Sequence, residues 1–191
     1  MQLILASSSP YRKELLARLK LPFQCDSPNI DETPLTAEQP SQLVKRLALE
    51  KAYKVAEKYP NALIIGSDQA AVLETNILGK PGSIQKALQQ LRRANGKSLQ
   101  LMTGLCLLNS CTGKYQLDMV PYQVQFRSLS DDALKRYIEL EMPLDCAASF
   151  KWEKLGISLF SAMTGDDVTS LQGLPLIRLI DMLNAEGVTI L

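Results

Sequence analysis

Ala62-Leu63-Ile64-Ile65-Gly66-Ser67-Asp68-Gln69-Ala70-Ala71-Val72 is the stretch on which the fold turns. Its apolar run is short and bounded, the pattern of a central strand buried on both faces. Asp68 then lies at the end of that strand or inside it, beside a glycine. A carboxylate in an apolar strand is costly unless it is paired, bound to metal or put to use.

Working outward, Leu3 to Ala6 is a second apolar run, which ends in Ser7-Ser8-Ser9-Pro10. Ser9 suits an N-cap and Pro10 the first helical position, so the chain should open as strand, serine turn, helix. Leu15, Leu16 and Leu19 share a face of that helix. Phe23 to Cys25 is a short strand candidate, and residues 26–40 read as a loop. Ser41 should cap a long helix to about Lys58, with Leu43, Leu47 and Val55 inward. Beyond the central strand, Gly79-Lys80-Pro81 marks a turn. Ser83 opens a helix with Ala87, Leu88 and Leu91 inward, ending near Asn95-Gly96. Leu99 to Leu108 and Tyr115 to Leu129 read as two strands joined by Ser110-Cys111-Thr112-Gly113. Ser130-Asp131-Asp132 caps a further helix. Gly173-Leu174-Pro175 opens the last one, with Leu176, Ile177, Ile180 and Leu183 inward. Helices alternating with strands around one hairpin predict an α/β fold with a mixed sheet.

The 191 residues suit one domain, or one elongated domain with two lobes. A chain of that size buries roughly 70% of its unfolded surface and needs no staple. With 46% hydrophobic and 21% charged residues and a net charge of +1, nothing points to bulk binding of nucleic acid or membrane. There is no histidine, which removes every histidine-based triad, zinc site and general base. Cys25, Cys106, Cys111 and Cys146 lack CxxC spacing and read as free thiols, with Cys111 in a turn. No run approaches ~20 apolar residues, and the start lacks a basic leader, so the expected location is the cytoplasm.

Several polar clusters fall at strand ends or turns, where α/β proteins bind ligands. Ser7, the following serines and Arg12 suit a phosphate at a helix start; an ordinary N-cap beside a solvated Arg12 reads equally well. Asp31-Glu32-Thr33 is either a solvated acidic loop or a carboxylate ligand for a hard cation. Lys80 is either an exposed lysine or an ammonium aimed at phosphate; the P-loop pattern is absent. Glu50 and Lys51 on the long helix also read as a plain solvated face. With no histidine in the chain, Asp68 stands out as the best candidate base or metal ligand.

Taken together, LILASSSPYR at 3–12, DETP at 31–34, LALEKA at 47–52, IIGSDQ at 64–69, GKP at 79–81, TGL at 103–105 and GLPL at 173–176 resemble the Maf family of nucleotide pyrophosphatases. The resemblance covers residues 3 to about 185. It implies an elongated mixed β-sheet flanked by helices, two lobes with a central cleft, in a single domain over 1–191. It implies hydrolysis between the α- and β-phosphates with a divalent cation, Mg²⁺ or Mn²⁺. Ser7, Arg12, Lys51 and Lys80 match positions that hold phosphate. Glu32 and Asp68 match the acidic pair proposed to hold metal, and Asp68 the proton acceptor. Tyr11, Gln69 and Glu153 match the branch that acts on 7-methyl-GTP, rather than the one that cuts dTTP and UTP. N7-methylation makes guanine cationic, so Tyr11 stacking would add roughly 0.5–2 kcal/mol of cation–π attraction. Glu153 would accept from the guanine N1 and N2 donors. The family often has glycine where Ala148 stands. The partner implied is a small nucleotide, with no nucleic acid and no membrane, and a homodimer is left open. A nucleotide sensor without catalysis is the rival reading.

Overall fold

The computed structural model describes residues 1–191. The strands are β1 (Gln2–Ala6), β2 (Gln24–Asp26), β3 (Ala62–Leu73), β4 (Asn76–Leu78), β5 (Ser98–Asn109), β6 (Tyr115–Phe126) and β7 (Phe160–Thr164). The helices are α1 (Pro10–Ala17), α2 (Pro40–Ala56), α3 (Ile84–Ala94), α4 (Asp131–Glu141) and α5 (Leu176–Ala185). The strands form one mixed sheet in the order β2-β1-β3-β5-β6-β7, with β4 paired to β3. β1 lies parallel to both β2 and β3, whereas β3–β4 and β6–β7 are antiparallel. The α/β class and the mixed sheet expected from the sequence are both present.

Serine chemistry fixes several helix starts. Ser9, Ser83 and Ser130 each accept from the backbone N–H three residues on. The start of α2 is different. Pro40, not Ser41, opens it, because a proline at the first helical position needs no partner for its missing N–H. Gln42 Oε1 then accepts from the Gln39 amide. The last helix keeps Leu176 and Leu183 inward as the periodicity suggested but turns Ile177 outward. Leu176, Leu179, Met182 and Leu183 are buried, whereas Ile177 is 57% exposed. The chain enters α5 from a short 3-10 turn at Val168–Gln172, and a left-handed Gly173 sets the phase.

The chain divides into two compact units, each built from separated segments: 1–69, 102–121 and 166–191 in one, 70–101 and 122–165 in the other. In the first, strand alternation sorts side chains between two layers. Odd-numbered Leu3, Leu5, Leu63, Ile65, Leu105 and Leu107 pack with Leu15 and Leu16 of α1 and with α5. Even-numbered Ile4, Ala62, Ile64, Cys106 and Leu108 pack with Ala48, Ala52 and Val55 of α2. In the second, Phe126, Phe150 and Phe160 meet edge to face with ring centroids 5.0 to 6.0 Å apart. No helix is long and apolar enough to cross a membrane. None of the four cysteines is in a disulfide, and Cys111 is exposed as its turn position suggested.

Candidate functional site

Asp68 sits in the middle of the twelve-residue β3, with residues 62–68 all buried. Its even number turns it toward α2. There Lys51, the most buried lysine position of the helix face, donates to Asp68 Oδ1 at 2.6 Å. The same ammonium lies 2.8 Å from Glu32 Oε1, on the loop before α2. Lys51 therefore bridges the two carboxylates that the sequence singled out. Asp68 Oδ2 has no hydrogen bond within the chain. Neighbouring Asp31 accepts from the Thr33 amide and is spent on the local turn.

This contact depends on two glycines. A Cβ on Gly66 would run into the backbone carbonyl of Ala48, and one on Gly104 into that of Val44. Only glycine lets α2 lie so close to β3 and β5. Lys51 is one turn beyond Ala48, so the close approach brings its ammonium down onto Asp68.

On the other side of the sheet, α1 contributes Arg12. Its Nε donates to the Gly173 carbonyl at 2.8 Å and its guanidinium nears Ser7 Oγ at 3.5 Å. Ser7 Oγ also accepts from the Ser9 amide. Burial pushes the Arg12 guanidinium down from its ordinary value, and the negative charges of Asp68 and Glu32 oppose that. Glu32, Lys51 and Asp68 thus form one contact group and Ser7 and Arg12 another, with the negative charge of the first acting on the Arg12 guanidinium. Tyr11, half-buried, precedes Arg12 in the first turn of α1.

Odd-numbered Ser67 and Gln69 point away from α2. Ser67 is fully buried, and its hydroxyl lies 2.7 Å from the Gly173 carbonyl and 2.9 Å from that of Gly104. Gln69 Nε2 donates to Thr103 Oγ1 and to the Ser170 carbonyl. Buried Asp167 organises the same loop, accepting from Thr169 and from the Ile177 amide at the start of α5. Sequence reasoning missed Ser67, Thr103 and Asp167 as members of this arrangement. The available signal was a hydroxyl inside an apolar strand at the same parity as Gln69.

Residues 2–186 match the Maf-like protein family. The chain belongs to the Maf family. It is 57% identical over 188 residues to a Pseudomonas aeruginosa protein named 7-methyl-GTP pyrophosphatase, covering 98% of each. A protein of the same name from Nitrosococcus oceani is 54% identical over 189 residues, covering 99% of this chain and 95% of that one. Among solved structures, the Ham1 protein of Staphylococcus aureus overlaps 66% of this chain and 72% of its own at a TM-score of 0.46 and 12% identity.

Two of the Maf positions read from the sequence lie in the second unit. Lys80 is exposed in the turn after β4 and makes no ion pair. That turn is fixed on both sides: the Gly79 carbonyl accepts from Gln90 Nε2, and left-handed Gly82 donates to Leu144. Glu153 is exposed in a turn between two short 3-10 segments and also lacks an ion pair. The backbone leading to it is left-handed at Ala148 (φ 54°) and Ser149 (φ 63°). Lys151 in that segment pairs with Asp145 at 3.3 Å, and the Trp152 indole Nε1 is buried without a partner.

Proposed function

We propose that this Maf-family chain is a nucleoside triphosphate pyrophosphatase that converts 7-methyl-GTP to 7-methyl-GMP and pyrophosphate. One observation carries the reading. In a chain matched over 98% of its length by proteins named for that activity, the buried Lys51 ammonium holds the two carboxylates Glu32 and Asp68 together.

The chemistry follows from what each side chain can do. Arg12 and Lys51 bring the positive charge that a polyphosphate requires, and the serine turn before α1 adds donors at a helix start. Lys51 fixes Asp68 through Oδ1, which leaves Oδ2 to take the proton of a water. That water attacks the α-phosphorus, the α–β anhydride bond breaks, and pyrophosphate leaves. Most of the acceleration then comes from positioning and charge stabilisation. The family resemblance assigns phosphate binding to Lys80 as well, and its ammonium is exposed with no ion pair. The resemblance assigns base recognition to Tyr11, Gln69 and Glu153: the ring would stack on the cationic base, and the Gln69 and Glu153 oxygens would share the three hydrogens on its N1 and N2.

The acidic pair also suits Mg²⁺ or Mn²⁺. Glu32 and Asp68 offer oxygen donors with a free oxygen on Asp68, and magnesium is usually held by one or two carboxylates together with substrate phosphates. When bound, the ion would supply charge stabilisation at phosphate oxygens.

A pyrophosphate-release assay across 7-methyl-GTP, GTP, dTTP, UTP, CTP and ATP tests the reading. The highest kcat/KM is expected for 7-methyl-GTP. A preference for dTTP, UTP or CTP would overturn the substrate, and tight nucleotide binding without release would point to a sensor instead.

A further inference from the structure

In Thr103-Gly104-Leu105 the glycine admits α2, and the threonine holds Gln69. Thr103 is fully buried on β5. Its hydroxyl donates to the Ser170 carbonyl at 2.9 Å and accepts from Gln69 Nε2 at 3.1 Å. Gln69 Nε2 also donates to the Ser170 carbonyl at 2.5 Å. The three groups close a small ring of hydrogen bonds.

The ring has one consistent arrangement of protons. A backbone carbonyl only accepts, so both Thr103 and Gln69 must donate to it. Thr103 has a single hydroxyl hydrogen. Having given it to Ser170, the hydroxyl presents a lone pair to Gln69. Both hydrogens of the Gln69 amide are thereby spent. A flipped amide would set Oε1 against the Ser170 carbonyl, two acceptors face to face, with the amide nitrogen left unpaired. What remains for anything outside the ring is Gln69 Oε1, which accepts no hydrogen bond within the chain and belongs to a half-buried residue.

We propose that Thr103 is a positioning residue that locks the Gln69 amide so that it meets the substrate base only as an acceptor. This rests on the reading that Gln69 faces the base of a nucleotide. A fixed acceptor favours a base edge with adjacent donors, as in guanine at N1 and N2. Adenine carries an acceptor at N1 and no N2 donor, so the locked amide disfavours it. Loss of the Thr103 hydroxyl frees one amide hydrogen and lowers the barrier to rotation. Gln69 can then turn a donor outward, and discrimination against adenine falls.

The test compares wild type, Thr103→Val and Thr103→Ser in two measurements. The first is the ratio of the ATP inhibition constant to the KM for 7-methyl-GTP. It should fall roughly tenfold in Thr103→Val, the size of one hydrogen bond's net discrimination, and stay at the wild-type value in Thr103→Ser, which keeps the hydroxyl. The second is the NMR signal of the Gln69 side-chain amide in the nucleotide-free protein. Both amide protons should exchange slowly with solvent in wild type and Thr103→Ser, and one should exchange fast in Thr103→Val. An unchanged ratio in Thr103→Val, an equal fall in Thr103→Ser, or fast amide exchange in wild type would overturn the proposal. If no nucleotide yields pyrophosphate with wild type, the proposed function fails, and the amide signals still decide whether Thr103 locks Gln69. Thermal unfolding of Thr103→Val confirms that a folded protein is being measured.

Discussion

The middle of β3 and the two stretches 79–82 and 151–154 carry charge in opposite ways. At β3, Asp68 is buried and held by a buried lysine, and neighbouring Ser67 and Gln69 have every donor committed. In the other two stretches, Lys80 and Glu153 stand exposed with no ion pair. The first region is organised before any ligand arrives, and a change there disturbs fold and chemistry together. The second region spends nothing on the fold, so its charges are available to a ligand at little structural cost. Each of the following substitutions puts that contrast at risk.

The largest effect is expected at Asp68. Asp68→Asn should lower kcat for 7-methyl-GTP by ~10²-fold or more, the low end for a positioned acid–base group. Turnover close to wild type would remove Asp68 from the chemistry. Gly66→Ala comes next. The added methyl meets the Ala48 carbonyl, so α2 must shift and carry Lys51 with it. Overpacking of that kind costs about 3 kcal/mol at its upper end, and Tm should fall by roughly 6–12 °C at this chain length. A wild-type Tm would mean that the helix yields freely and the two regions differ less than their contacts suggest.

Lys80→Ala should separate activity from stability. Loss of one charge-assisted contact of about 1.5 kcal/mol would raise KM roughly tenfold, with Tm unmoved. A Tm loss as large as that of Gly66→Ala would break the contrast. The smallest effect belongs to Glu38, whose hydrogen bonds from Arg46 pull its carboxyl down to about 2, from an ordinary value of 4.5. A depressed carboxyl stabilises the fold above its unfolded value, and that contribution drains away as pH falls toward about 2. The Tm difference between wild type and Glu38→Gln should therefore be constant above pH ~5 and shrink between pH 4.5 and 2. A difference that stays constant down to pH 2 would count against it.

Local chemistry made much of this readable from the chain. Caps at Ser9, Ser83 and Ser130 announced their helices, and a carboxylate inside an apolar strand announced Asp68. Glu32, Lys51 and Asp68, which the structure brings into contact, each sit in a short recognisable segment, as do Ser7 and Arg12. What stayed hidden was contact between distant segments. Nothing near Ser67 says that its hydroxyl reaches Gly173, 106 residues away. The periodicity of 176–183 likewise could not place Ile177, since the phase of α5 is set by the left-handed residue at 173. Gly66 and Gly104 lay between these cases: a glycine inside a strand signals close approach, but not what approaches.

Ala148 has a consequence for how its relatives are compared. Holding alanine in the left-handed region costs about 1–2 kcal/mol, and glycine there would be free of that penalty. Yet glycine also loosens the unfolded chain, by about 0.4–1 kcal/mol. The entropy offsets only about half of the strain, so alanine here leaves a net cost of roughly 0.5–1 kcal/mol, small enough that either residue holds the same left-handed backbone.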